Sequence, residues 1–431
     1  MSLVDAPGKA QTRHRNESVQ RFISRFVPAT GTRPPSYDSV VIAGNGIGAQ
    51  AFAAQLVKHP QFEGKVTLVA PPAQESRRLI NGVSLRGVAA DFLSSAVGVD
   101  HATLLQAAAG TSLPGPVAHR QTAAMAIDRN GEWTFSNSGP WQGGSKGNAA
   151  PLVYGMRNSR LVAGLRELLA EHPVEYVDDM VESAEHLRSY AAGTRPLLVN
   201  ATTKPTLLGG DSSAPQRLVL AVQAPMIEAD SGISHPLQRD TTFAPLIRRN
   251  DIIDVGYFTP FADPLSPRST WYGIFARVVD ADSGFDKDAE LATMTGELHG
   301  VANALGLMVD DAAETLAGAL VPASSWGKVA PSKPGTLELK RMYSGGAPCY
   351  YADGMISAAI GGVIGAEAVV HGQDPDPAIR SALRPWRRHN FLWWLETNKI
   401  SALTDRLLRV NVQASMAYPH SAGLRMWKSA A

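Results

Sequence analysis

The 431-residue sequence predicts an α/β protein: a doubly wound parallel sheet, an inserted and mostly antiparallel sheet, and a helical C-terminal region. Three observations point to this fold. An apolar run, Ser39–Ala43, enters Gly44-Asn45-Gly46-Ile47-Gly48-Ala49. An alanine-rich stretch follows and ends near His59-Pro60, and a second apolar run, Lys65–Ala70, comes at the spacing of a parallel strand–helix–strand unit. From about 215 to 280 the pattern turns to β-rich segments, for example 217–223 and 270–279, punctuated by Pro and Gly as in an antiparallel sheet.

Taken in chain order, residues 1–36 read as a basic tail, with Lys9, Arg13, Arg15, Arg21, Arg25 and Arg33 against Asp5 and Glu17. Val19, Phe22, Ile23 and Phe26 recur in it at helical spacing, which predicts a short amphipathic helix docked on the body. Residues 37–110 are the first part of the parallel-sheet domain. Residues 111–150, rich in Gly, Pro, Ser and Asn, read as loops and irregular strands inserted into it. The parallel-sheet domain resumes over 151–212, with a helix at 161–169 and a buried strand at Pro196–Asn200. The antiparallel sheet occupies 213–335 with a helix at 286–306. Residues 336–375 are the third part of the parallel-sheet domain, and 376–431 the helical C-terminal region, helical from 376 to 412.

Composition narrows the function. A hydrophobic fraction of 44% with 18% charged residues excludes disorder for the body of the chain. A net charge of +1 provides no global field for nucleic acid or an anionic membrane. The single cysteine, Cys349, excludes an intrachain disulfide or a multi-cysteine metal site and reads as a packing residue. With no apolar run long enough for a membrane span and no secretory leader, a cytoplasmic protein is expected. The 11 histidines show no metal-ligand spacing and no Gly-x-Ser-x-Gly turn is present, so neither a metal nor a side-chain nucleophile is expected.

The chemistry lies in glycine-bearing segments. Gly44-x-Gly46-x-x-Ala49, between a strand and a helix, is the dinucleotide-binding fingerprint with Ala in its last place. Gly44 allows the turn, Gly46 lets backbone approach a pyrophosphate, and the N–H groups beginning at Ile47, Gly48 and Ala49 face it. The acid expected about 20 residues on is missing, since the second strand ends in Ala70-Pro71-Pro72. A second segment, from Tyr350 to Gly365, sets Asp353 before a glycine-rich turn containing Gly362 and a small-residue helix from Gly365 to Val370. A carboxylate there can accept a ribityl hydroxyl; equally, small residues there can serve close helix packing. Two nucleotide-contacting segments about 300 residues apart favour FAD over NAD, and the first domain is therefore expected to be a Rossmann-like FAD-binding domain. Arg77 and Arg78 fall either near the phosphates or in a solvated loop. Arg157, a cation at a helix start, implies an anionic neighbour.

Together these segments resemble the FAD-dependent monooxygenases of the aromatic hydroxylase fold, and most of all the styrene monooxygenase family of two-component oxygenases. Arg78-Leu79-Ile80-Asn81, Arg157 with Leu161 and Leu165, the stretch Val181–Leu187 followed by 197–203, and Ala352-Asp353 carry the resemblance over most of 38–410. It implies reduced FAD from a separate NAD(P)H:flavin reductase and molecular oxygen. A flavin C4a-hydroperoxide then epoxidises or hydroxylates a small or medium apolar or aromatic substrate. Asn81 and Arg78 are the candidate polar groups at the flavin edge. Val83 is a pocket wall, and Phe258 and Phe261 are either substrate-facing or core aromatics. Thr202-Thr203 stands where single-component hydroxylases carry Asp-Gly, which favours the two-component mode, and the flavin loop lacks its proline. A reductase of the geranylgeranyl type and a non-catalytic nucleotide-fold subunit remain as alternatives, with a homodimer left open. A halogenase is disfavoured by the lack of Trp-x-Trp-x-Ile-Pro.

Overall fold

A computed structural model of the chain describes residues 9–28, 37–72, 82–109, 117–127, 133–137, 152–202, 204, 207–209, 217–234, 237, 241–249, 252–261, 268–280, 284–312, 316–322, 332–339 and 354–384. The basic segment forms α1 (Lys9–Phe26), which buries Val19, Phe22 and Ile23 and leaves Gln20, Arg21, Ser24 and Arg25 outside. Phe22 meets Phe92 edge-on, with ring centroids 5.3 Å apart, so this helix docks on the body through its apolar stripe.

β1 (Ser39–Ala43), α2 (Ile47–Lys58) and β2 (Lys65–Ala70) form the unit that the sequence predicts. Every residue of β1 is buried, because a central parallel strand is covered on both faces, and a Val-Val-Ile-Ala run suits that place. β3 (Gly82–Arg86) is followed by α3 (Gly87–Val97) and α4 (His101–Ala109). β4 (Val117–Ile127) and β5 (Trp133–Asn137) are regular strands where loops and irregular strands are expected. Alanine-rich β4 carries little intrinsic strand signal and is held by three partners, β5, β6 (Leu152–Arg157) and β10 (Thr241–Arg249).

α5 (Asn158–Leu168) starts where β6 ends. β7 (Val174–Asp178), α6 (Ala184–Arg188) and β8 (Pro196–Asn200) follow, then β9 (Arg217–Glu228), and, after β10, β11 (Ile252–Pro260) and β12 (Trp271–Asp280). The remaining elements are α7 (Lys287–Ala304), β13 (Leu307–Val309), β14 (Leu316–Pro322), β15 (Thr336–Leu337), α8 (Gly354–Val370) and α9 (Pro375–Ala382). Beyond residue 384 the expected C-terminal helices lie outside the described residues. No helix of the described residues is long and apolar enough to cross a membrane.

Two sheets result. The first is wholly parallel, in the order β15-β8-β1-β2-β7. The second runs β13-β9-β12-β11-β10-β4-β6-β3, with β14 also on β9 and β5 on β4; it is antiparallel except for the β10–β4 pair. Its edge strand β3 touches β9 near the opposite edge, so the sheet curls over on itself.

Helices α2 and α8 lie side by side on the first sheet. Gly362 abuts Gly48, Gly365 abuts Phe52, and Glu367 meets Gln55 and His59, so the two helices run in the same direction. This corrects one expectation. In place of a glycine-rich turn opening a helix at Gly365, α8 runs unbroken from Gly354, and Gly362 and Gly365 are interior. A Cβ on Gly362 would lie 2.5 Å from the Gly48 carbonyl oxygen, and one on Gly365 would lie 3.1 Å from Ile379 Cδ1 and 3.3 Å from the Phe52 ring. The missing side chains let the helix backbones approach each other, which is the packing alternative for this segment.

On the second sheet the two faces differ. Leu220, Val222, Met226, Phe243, Phe258 and Phe275 pack under Met294 and Leu298 of α7. Buried Arg277 fixes that helix to the sheet: its Nε reaches Asp254 Oδ1 at 2.6 Å and its Nη2 reaches Glu297 at 3.2 Å, while Nη1 bonds Glu290. Burial alone would lower the guanidinium pKa, but the hydrogen bond and charge of Asp254, with Glu290 and Glu297, raise it above its ordinary value.

Candidate nucleotide and substrate site

β1 ends at Gly44, whose N–H donates to the Val69 carbonyl at 2.8 Å and whose φ is +106°, in the region that favours glycine. A Cβ there would also press on the Ala201 carbonyl at 3.1 Å, so Gly44 is required both by the turn and by the neighbouring strand end. Gly46 is different. It caps α2 in an extended conformation with no side-chain hydrogen bond, and a Cβ built on it meets nothing within 4 Å among the described residues. None of the described residues demands a glycine there. The open space is what a ligand approaching the backbone needs, and the first N–H groups of α2 point into the same place.

Gln50 holds this loop. Its Nε2 donates to the Asn45 carbonyl at 3.4 Å, and its Oε1 accepts from Tyr176 Oη at 2.9 Å. Burial pushes the Tyr176 phenol up to about 12, against the opposing charge of Arg166 and the hydrogen bond to Gln50. The strand end that lacks its acid has a neighbour with one, since Asp178 of β7 stands opposite Ala70. Asp178 lies 3.7 Å from Arg166 Nη1.

α8 begins eight residues before Gly362, about 12 Å along the helix at 1.5 Å per residue, so its first two turns project past the start of α2. β3 touches α8 and α5 touches α2, which brings the curled sheet to this cleft. Gly82 pairs with Arg157 and Val83 with Met156. Arg157 caps α5, and its guanidinium carbon stands 5.9 Å from the centre of the Phe261 ring. A Cβ on Gly155 would collide with the Pro260 carbonyl, so β6 and the end of β11 meet backbone to backbone here.

The sequence-predicted residues therefore divide. Gly44, Gly46, Ile47, Gly48 and Ala49 form one loop and helix start. Val83 pairs with Met156, one position out of phase with the Gly82–Arg157 pair, whereas Arg157 and Phe261 come together where β6 meets the end of β11. Phe258 does not join them: it is fully buried on the α7 face between Phe243 and Phe275, so it is a core aromatic and not a substrate wall. Arg78, Asn81, Asp353 and Cys349 lie outside the described residues.

The face of the sheet opposite α7 carries Phe261 together with side chains that the sequence reading did not single out, Tyr272 and Gln223 among them. Strand alternation puts Tyr257, Thr259 and Phe261 opposite to Phe258, and Tyr272 and Gln223 share that face. Tyr272 Oη donates to Gln223 Oε1 at 3.0 Å, and its ring lies 5.0 Å from Phe261. Period-two alternation counted from Phe258 could have found them.

The fold thus defines a class, a parallel α/β unit with a glycine-bearing strand–turn–helix joined to a curled antiparallel sheet. No protein-family profile matches the chain, and no curated protein matches its sequence. Among solved structures it is similar to MibH, a lathipeptide tryptophan 5-halogenase, at a TM-score of 0.53 and 15% identity over 85% of this chain and 74% of that one. It is also similar to FqzB, at 0.52 and 14% over 93% and 96%. A looser likeness, with a TM-score of 0.42 and 10% identity, is to CtdE, solved in complex with FAD. At these identities the likeness is one of fold.

Proposed function

We propose that the chain is an FAD-dependent monooxygenase that takes reduced FAD from a separate reductase and adds one oxygen atom to a small or medium apolar, aromatic-type substrate. The observation that carries this reading is Gly46, a helix-capping glycine with open space where a side chain would be, in a strand–turn–helix whose geometry suits a pyrophosphate. Gly44 and Gly46 let the backbone close on the pyrophosphate, and the N–H groups at the start of α2 donate to it. Asp353, immediately before α8, is assigned the ribityl hydroxyls. Gly362 and Gly365 leave the ligand set, because they pack against α2 and Ile379.

Bound in reduced form, FAD supplies the activation of dioxygen. The protein binds, orients and excludes water. Arg157 sets positive charge beside Gly82, where an anionic flavin ring is favoured. Phe261 and Tyr272 form a packed aromatic pair on the face opposite α7, both as buried as Phe258, and the Tyr272–Gln223 hydrogen bond fixes the tyrosine.

The test is a titration of the purified protein with oxidised FAD and then dithionite-reduced FAD, followed by admission of oxygen. Tighter binding of the reduced form, with a transient absorbance distinct from both oxidised and reduced flavin, is expected. Oxygen-independent turnover would favour the reductase alternative. No binding of either form would leave a non-catalytic nucleotide-fold subunit, an alternative for which the missing acid at Ala70 speaks.

A further inference from the structure

We propose that His59, Glu367 and His371 form a zinc-binding site that clamps the C-terminal ends of α2 and α8. Their ligand atoms, two imidazole nitrogens and a carboxylate oxygen, all lie within 4.8 Å of one another. His59 Nε2 is 3.0 Å from Glu367 Oε2, and His371 Nε2 is 3.4 Å from Glu367 Oε1. Donors bound tetrahedrally at about 2.0–2.1 Å stand roughly 3.3 Å apart; each nitrogen is at about that distance from one of the two Glu367 oxygens, His59 from Oε2 and His371 from Oε1. An imidazole carrying its ring proton on Nε2 can donate to the carboxylate at these distances, and a divalent ion held between the bare nitrogen lone pairs and the carboxylate suits the same arrangement.

The surroundings fit an ion that is held but reachable. Glu367 is nearly buried, whereas His59 and His371 keep 23% and 12% of their side-chain surface, enough for a water to complete the coordination. Gln55 Nε2 donates to Glu367 Oε2 at 2.8 Å and orients the carboxylate. Gln55 Oε1, on the same amide, is buried with no hydrogen-bond partner among the described residues and is placed to accept from a metal-bound water. Lys58 opposes cation binding electrostatically, but its ammonium is turned to the Ser95 carbonyl at 2.5 Å. Two imidazoles and one carboxylate are a borderline donor set that suits Zn(II) over Ca(II) or Mg(II). The sequence hid the site because its ligands stand 308 and 4 residues apart, so only the α2–α8 packing brings them together.

The site is independent of the flavin, and so is its test. Full-length protein stripped with chelator is titrated with Co(II), followed by visible absorption, then challenged with Zn(II). Melting temperature is recorded with chelator and with Zn(II). The same is done for His59→Gln and His371→Gln, whose partly exposed side chains can change without emptying the core. The expected result is one equivalent of Co(II) with tetrahedral-type bands that Zn(II) abolishes, and a melting temperature raised by a few degrees with Zn(II). Both variants lose the bands and the Zn(II) shift, while their melting temperatures in chelator stay near the wild-type value. Absence of tetrahedral bands in the wild type, or their persistence in either variant, overturns the proposal and leaves a hydrogen-bonded helix tie.

Discussion

The two sheets solve different problems with different parts of the chain. In the parallel sheet, the proposed site is built from backbone: Gly44 with its positive φ, Gly46 with no neighbour at its Cβ position among the described residues, and a helix start with no side-chain hydrogen bond from its N-cap. In the curled sheet, one face is closed by side chains, Tyr272, Gln223 and Phe261, while the other face is an apolar layer tied to α7 by Arg277. A backbone site leaves its mark in the sequence as glycine spacing. A side-chain site leaves only an alternation whose phase must be known. The comparison therefore predicts that stability and ligand binding can be altered separately in each region.

The largest effect is expected on the α7 face. Arg277→Leu leaves Asp254 and Glu297 buried without their cation, a loss of about 3–5 kcal/mol for a broken buried pair that denaturant unfolding would register. FAD affinity below the new melting transition should be unchanged. A loss under about 1 kcal/mol would mean that the apolar layer alone holds α7.

Next is Gly362→Val, which breaks the separation within the parallel unit. The new side chain collides with the backbone at Gly48 and Phe52, so an overpacking cost of about 1–3 kcal/mol should come with weaker FAD binding, as the α2 start is displaced. Unchanged affinity with lowered stability would show that the cradle moves independently of the helix pair.

Gly46→Val should do the reverse. Melting stays within about 0.5 kcal/mol of wild type because none of the described residues lies within 4 Å of the new Cβ. FAD affinity should fall at least about tenfold, equivalent to roughly 1.4 kcal/mol.

The smallest effect concerns Tyr176, which anchors Gln50 behind the cradle. Tyr176→Phe removes one hydrogen bond, worth about 1 kcal/mol, and leaves the ring. In the folded chain this phenol is pushed up to about 12, whereas unfolded it ionises near its ordinary value of about 10. The unfolded state therefore releases its proton first as pH rises. The stabilising contribution of Tyr176 is intact below pH about 10 and declines as pH rises towards about 12. The phenylalanine variant should lack that part of the alkaline decline in a series of melting curves.

What was legible in the sequence follows the same division. Ser39–Ala43, Lys65–Ala70 and Pro196–Asn200 were found at their observed bounds, because buried parallel strands read as uninterrupted apolar runs. Strands β3, β4 and β6 were not, since short or alanine-rich segments carry weak strand preference and take their form from tertiary neighbours, and helices α3 and α4 were passed over although their alanines and leucines favour a helix. The strand–turn–helix at Gly44–Ala49 was legible residue by residue. Phe258 was not separated from Phe261, although they lie on opposite faces only three positions apart, because the phase of β11 is set by α7 and not by the aromatics themselves. The glycines of α8 were visible, but whether they faced a ligand or a helix depended on α2, which is about 310 residues away in the chain.

The central claim, that an open backbone cradle at Gly46 holds the cofactor while the rest of the fold is indifferent to that glycine, is tested most directly by one paired measurement. The dissociation constant of reduced FAD and the melting temperature would be determined side by side for wild type and Gly46→Val. The account predicts a wild-type protein that binds reduced FAD, and a variant that melts at the same temperature and binds at least about tenfold more weakly. Equal affinity in both proteins, or a variant that loses binding only because it has lost its fold, would contradict it.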